Sequence, residues 1–289
     1  MSKDFRFIPL NFNWVALNPH PKGVVYFIGG IFFGSFPNIF YHFLLKKVFE
    51  AGYTVVAIPF RFTFRHWSVS IDIIRDIIDL RQAIYDEAKF RGYTDNIELY
   101  HKDPTKEKCK YFWLGHSLGC KYISLLEILT EINTEEDLQR VLGKCIQNQQ
   151  ARDIKNALGD LKLQDVSLEN QPSLFLAPVI SGIENAIPFT PGASFIKQIG
   201  LDVQPTVIET ECLIQKSSMF SLIDLITFAK DVRAKTTIQW FLKTIPGKIL
   251  SQPVVPLPER EHLAPLGWSN GDQELAKKVI QSISNLCQK

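Results

Sequence analysis

The sequence predicts a mostly parallel, doubly wound α/β fold, and three observations predict it. Short, continuous apolar runs recur at Val24 to Ile28, Thr54 to Pro59, Tyr111 to Leu114 and Ser173 to Ala177, the composition of strands buried on both faces. Segments with apolar residues at three- and four-residue intervals separate them, as helices packed on a sheet require. Glycines follow the first and third runs, at Gly29-Gly30 and Gly115, where a chain leaving a strand must turn sharply.

Taken in order, Val24 to Ile28 is followed by a glycine loop and by helical periodicity from Ile39 to Ala51. The stretch from Val24 to Leu45 lacks Asp, Glu, Lys and Arg, yet Gly29-Gly30, Gly34-Ser35, Pro37-Asn38 and His42 punctuate it as strand, turn and helix start rather than a membrane span. Gly52-Tyr53 closes the helix before the next strand. Ile74, Ile77, Ile78, Ile84 and Tyr85 mark an amphipathic helix from Ile71 to Phe90. Asp95 to Lys110 is a polar connection, and helical spacing returns from Leu118 to Leu129. Residues 131–170 are expected to be a charged helical insertion and 178–205, with Pro and Gly among apolar residues, a cap or lid. Glu211 to Gln215 is expected as a strand, Leu222 to Val232 as a helix, Lys248 to Val255 as the last strand and Glu274 to Cys287 as the closing helix. A single domain spanning 1–289 accommodates all of these elements.

Composition narrows the function. Hydrophobic residues form 46% of the 289 positions and charged residues 21%, the balance of a globular chain. Lys plus Arg total 32 against 30 for Asp plus Glu, so no basic surface for nucleic acid is expected. Cys109, Cys120, Cys145, Cys212 and Cys287 are scattered without a C-x-x-C pair or clustered histidines, which fits reduced thiols and no metal site. The charged first residues lack an apolar h-region, so the expectation is a cytoplasmic protein, stromal if plastid.

The chemistry-bearing segment is Tyr111-Phe-Trp-Leu-Gly-His-Ser-Leu-Gly119, a strand running through Gly115-x-Ser117-x-Gly119 into a helix. This is the nucleophile-elbow pattern of the α/β-hydrolase fold. Small residues two positions either side of the serine let the turn close against the neighbouring strand and helix. The helix N-terminus places the Leu118 N–H where an oxyanion would develop, and the Gly29-Gly30-Ile31-Phe32 loop offers the Ile31 N–H as second donor. Chain order puts the base last, and His262, in Pro258-Glu-Arg-Glu-His-Leu-Ala-Pro265, is the one histidine beyond the elbow. The loop after Glu211 to Gln215, Lys216-Ser-Ser-Met-Phe220, carries no carboxylate. Asp224 is therefore the candidate acid, with Glu184 the alternative.

At these residues the chain resembles the cyanobacterial and chloroplast family called domain of unknown function 1350, placed among α/β-hydrolases. The matching segments are Phe27-Ile-Gly-Gly-Ile-Phe-Phe-Gly34, Tyr53-Thr-Val-Val-Ala-Ile-Pro59, Gly115-His-Ser-Leu-Gly-Cys-Lys121 and His262-Leu-Ala-Pro-Leu266. The resemblance implies the α/β-hydrolase fold over most of the chain and leaves the substrate undefined.

Two functions follow. The first is a serine hydrolase of esterase, thioesterase or lipase type, with Ser117 as nucleophile and His262 as base, needing no cofactor and no metal. Its substrate would be a small or lipid-like acyl compound with an apolar portion, inferred from Phe32, Phe33 and Phe36 by the oxyanion loop and Ile183, Ile187, Phe189 and Phe195 in the expected cap. The second is a non-catalytic binding or assembly protein that keeps the fold and presents the 131–170 insertion to a protein partner. Geometry separates them: Ser117 within hydrogen-bond reach of His262, with a carboxylate behind the ring, favours the enzyme.

Overall fold

In the computed structural model, β3 (Gly23–Ile28), β4 (Tyr53–Ile58), β5 (Tyr111–His116), β6 (Ser173–Leu176) and β7 (Ile223–Ile226) lie parallel. The residues described are 5–100, 110–132, 134–159, 161, 167–180, 203–218 and 223–286. A hairpin of β1 (Ile8–Leu10) and β2 (Asn13–Ala16) adds antiparallel to β4, giving the order β1-β2-β4-β3-β5-β6-β7. The apolar runs read from the sequence are thus the central strands of a seven-stranded, mostly parallel sheet.

Both faces of that sheet are covered, which is why the strands read as unbroken apolar runs. Along β3, Val24, Tyr26 and Ile28 enter one core while Val25 and Phe27 enter the other, the two-residue alternation of a pleated strand. The first core packs under α3 (His66–Phe90) and α4 (Leu118–Thr130); the second packs under α2 (His42–Glu50) and α9 (Gln273–Asn285). A short α1 (Pro37–Phe40) leads into α2, with Pro at its first position where no hydrogen bond is lost. No helix among the described residues is long and apolar enough to cross a membrane, and Val24 to Leu45 divides into β3, a loop, α1 and the start of α2.

The 131–170 stretch contains α5 (Glu135–Val141) and α6 (Asn148–Leu158). The expected cap lies outside the described residues from 181 to 202, and with it Glu184, Ile183, Ile187, Phe189 and Phe195.

Three expected elements differ. Glu211 to Gln215 is not a strand but the body of α7 (Val207–Lys216), started by a capping box in which Thr206 and Glu209 satisfy each other's backbone N–H groups. Leu222 to Val232 is not a helix: Ile223–Ile226 is β7, with all four residues buried, and the chain beyond it turns before α8 (Lys235–Thr244). A four-residue, mostly apolar run fits either state, and pairing against β6 decides for the strand. Lys248 to Val255 contributes only an isolated bridge from Ile249 to Ile223. The cysteines differ too. Cys145, after α5, and Cys212, on α7, form a disulfide although 67 residues apart in sequence. Cys120 is buried and free.

Candidate active site

The turn from β5 into α4 holds Ser117 at φ 54° and ψ −119°, a conformation that side-chain-bearing residues rarely adopt. Packing enforces it. A Cβ at position 119 would lie 2.1 Å from the Ile28 carbonyl oxygen, so only glycine lets α4 start this close to the end of β3. A Cβ at position 30 would lie 3.1 Å from Ser117 Cβ, so the Gly29-Gly30 loop touches the serine directly.

Ser117 Oγ stands 2.8 Å from His262 Nε2, and His262 Nδ1 stands 2.8 Å from Asp231 Oδ2. All three residues are buried. A carboxylate only accepts, so His262 donates from Nδ1 to Asp231 and its Nε2 accepts from the Ser117 hydroxyl. The other oxygen, Asp231 Oδ1, accepts from the N–H groups of Arg233 and Ala234 at 2.9 and 3.1 Å. Burial works to raise the Asp231 pKa, but the hydrogen bond and charge of His262 and these two N–H groups hold it below the usual carboxylate range. Serine, imidazole and carboxylate therefore form one chain of hydrogen bonds suited to activating Ser117 by proton transfer.

Asp231, rather than Asp224, is the carboxylate behind the histidine. Asp224 lies within β7, opposite Leu174, and its Oδ1 accepts from the Leu225 N–H at 3.0 Å. Glu184 lies outside the described residues. With β7 at Ile223–Ile226 rather than at Glu211 to Gln215, the loop that follows the strand contains Asp231, between Ser117 and His262 in the chain order of the fold. The signal that could have found it is the mostly apolar, β-branched-rich run Ile223 to Thr227, which ends shortly before Asp231.

A second hydrogen-bond chain runs beside the first. The Gly30 N–H donates to Tyr41 Oη at 2.8 Å, Tyr41 Oη lies 2.8 Å from His116 Nδ1, and His116 Nε2 lies 2.9 Å from the His262 carbonyl oxygen. The carbonyl can only accept, so His116 donates from Nε2 and accepts the Tyr41 proton at Nδ1. Burial first, then the neighbouring His262, push the His116 pKa down to about 3, so it stays neutral. This chain ties the glycine loop, α2's approach and the elbow to the backbone of the candidate base. It also occupies the Gly30 N–H, leaving Ile31 as the next amide of the loop. Leu118 is the first residue of α4, where a helix has no internal partner for its N–H.

No group of three or more His, Cys, Asp or Glu side chains able to hold a metal occurs among the described residues.

The parallel sheet, the strained serine between β5 and α4 and the histidine late in the chain are the features of the α/β-hydrolase fold. The chain belongs to the family described as "Protein of unknown function (DUF1350)", whose model matches residues 7–286. No curated protein matches it. Among solved structures it is similar to a candidate carboxylesterase of Lactobacillus plantarum WCFS1, at 13% identity over 99% of both chains with a TM-score of 0.55. It is also similar to the butyrate-bound thermophilic esterase Est2 of the planctomycete Thermogutta terrifontis, at 13% identity over 94% of this chain and 87% of that one, with a TM-score of 0.51. At such identities the likeness establishes the fold and leaves the activity to the chemistry of the site.

Proposed function

We propose that this protein is a serine hydrolase cleaving an acyl ester with an apolar portion, in one α/β-hydrolase domain. Ser117 attacks the acyl carbonyl while His262 takes its proton and returns it to the leaving alcohol, and Asp231 fixes the imidazole tautomer and stabilises its charged form. The N–H groups of Leu118 and Ile31 receive the oxyanion. Water then enters, is deprotonated by His262 and releases the acid. The observation that carries this reading is the unbroken Ser117–His262–Asp231 chain at 2.8 Å per link. A non-catalytic protein has no need for a serine held in a strained turn on the axis of a carboxylate-bound imidazole. The similar proteins named above are described as esterases, which agrees with the ester as substrate class.

The test is covalent labelling with a fluorophosphonate probe. Labelling of the wild type that Ser117→Ala abolishes supports the hydrolase and is followed by a screen of acyl esters of graded chain length. Well-folded wild type that stays unlabelled overturns it.

A further inference from the structure

Both loops that meet at Ser117 carry apolar side chains out into solvent. Phe32, Phe36, Ile39 and Phe40 follow the glycine loop and are 54, 56, 42 and 38% exposed; Leu263 and Trp268 follow His262 and are 40 and 55% exposed. These six are half of the exposed large hydrophobic residues described, gathered on two short segments, whereas exposed apolar residues on an ordinary surface stand singly. Contacts join them. Phe32 packs on Phe62 at 5.5 Å and Phe62 on Phe64 at 5.3 Å; the Gly267 N–H donates to the Phe40 carbonyl, and Trp268 stacks on His42 at 4.4 Å.

Basic residues predominate on the segment that carries the first of these loops. From residue 5 to residue 71 the chain contains six basic residues and a single acid, Glu50. Exposed Arg61 and Arg65 alternate with Phe62 and Phe64 in the loop beside Phe32. On the other loop, residues 263–271 are uncharged, Glu259 pairs with Lys230, Asp272 and Glu274 pair with Arg260, and Glu261, beside His262, is exposed. Exposed aromatic and aliphatic side chains bordered by arginines are the composition that settles at the headgroup level of an anionic lipid surface.

We propose that the rim of the Ser117 site docks on an anionic lipid–water interface, and that the acyl substrate is drawn from that lipid phase. The substrate half of this proposal rests on the hydrolase reading; the docking half does not. The apolar side chains enter the headgroup region, the arginines pair with lipid phosphates, and Ser117 faces the layer from which an acyl chain is lifted.

The experiment floats the full-length protein with phosphatidylcholine vesicles and with vesicles of phosphatidylcholine plus phosphatidylglycerol. In parallel it follows the emission of Trp268, the one exposed tryptophan of five. Expected are flotation with the anionic vesicles and a blue shift that Trp268→Phe removes. A loss of at least tenfold in vesicle affinity is expected for Phe36→Ser/Ile39→Ser and for Arg61→Gln/Arg65→Gln, each checked for fold by circular dichroism. Absence of flotation, or flotation that both double variants leave unchanged, overturns the proposal. So does a concentration-dependent dimer abolished by Phe36→Ser/Ile39→Ser, which would assign the face to a second copy of this chain. Fluorophosphonate labelling of the same samples separates the readings: labelled protein that ignores vesicles loses the docking face and keeps the hydrolase, whereas bound but unlabelled protein does the reverse.

Discussion

Asp231 accepts the Nδ1–H of His262 while two backbone amides, Arg233 and Ala234, hold its other oxygen, so the carboxylate cannot turn away from the ring without losing three hydrogen bonds. Substituting Asn keeps the shape but lets the amide impose the wrong tautomer on His262. Asp231→Asn should slow fluorophosphonate labelling by about 10⁴-fold, the scale such a substitution has on kcat in serine proteases. Asp224→Asn should slow it less than tenfold, because Asp224 sits inside β7. Equal effects of the two, or the reverse order, would refute the assignment of Asp231.

Tyr41 joins the glycine loop to the elbow histidine. Tyr41→Phe leaves the buried Gly30 N–H and His116 Nδ1 without partners, and each such loss costs about 1–3 kcal/mol. Because both groups adjoin the oxyanion loop and the backbone of His262, kcat should fall by roughly 10- to 100-fold with little change in KM. Ser117 should still label, more slowly. A KM rise at constant kcat would show that Tyr41 shapes binding rather than the position of the catalytic groups.

The strain at Ser117 predicts a difference between two variants that lack its hydroxyl. Ser117→Ala and Ser117→Gly both lose the hydrogen bond to His262, but only glycine relaxes at φ 54° and ψ −119°. Relief of about 1–3 kcal/mol outweighs the extra chain entropy of glycine, about 0.5–1 kcal/mol. Ser117→Gly should therefore be more stable than Ser117→Ala by about 1 kcal/mol in urea unfolding. Equal stabilities would mean that the elbow stores no strain.

How much of this was legible follows from where the physical signals are local. Val24 to Ile28, Thr54 to Pro59 and Tyr111 to Leu114 announce themselves because a strand covered on both faces must be apolar throughout. Ser117 was legible because glycine is required beside it, and His262 because chain order leaves no other histidine after the elbow. Asp231 was not, since Ile223 to Ile226 is too short for its period to separate strand from helix, and the fate of that run fixes which loop follows which strand. The β1–β2 hairpin escaped because Ile8–Leu10 has an intermediate, mixed burial pattern at the sheet edge. The Cys145–Cys212 bond escaped because it depends on α7 packing beside the insertion, a contact 67 residues apart.

That disulfide ties the α5–α6 region to α7. By the chain-entropy account, closing a loop of this length stabilises by about 4 kcal/mol. Reductant should lower the melting temperature of the wild type by several degrees and leave Cys145→Ser/Cys212→Ser, already low, unchanged. A wild-type melt indifferent to reductant would mean that the two thiols are not joined in solution.

Glu127 gives the last prediction. It lies buried on α4 with Oε1 accepting from Ser173 Oγ at 2.8 Å and Oε2 without a hydrogen-bond partner. Burial raises its pKa to about 8, against the opposing effects of the Ser173 bond and of Lys248. A folded pKa above the unfolded one stabilises the protein at pH values below the unfolded value, near 4.5, and this contribution is lost as pH rises through about 8. A difference of one between folded and unfolded pKa corresponds to about 1.4 kcal/mol, so the loss across that window is on the order of a few kcal/mol. Glu127→Gln keeps an acceptor for Ser173 and removes the titration. Its stability should change less than that of the wild type between about pH 5 and about pH 9, and should exceed the wild type at the upper end. The measurement is urea unfolding of both proteins at matched pH values. Parallel curves would show that Glu127 stays ionised throughout, with Lys248 offsetting the cost of its burial.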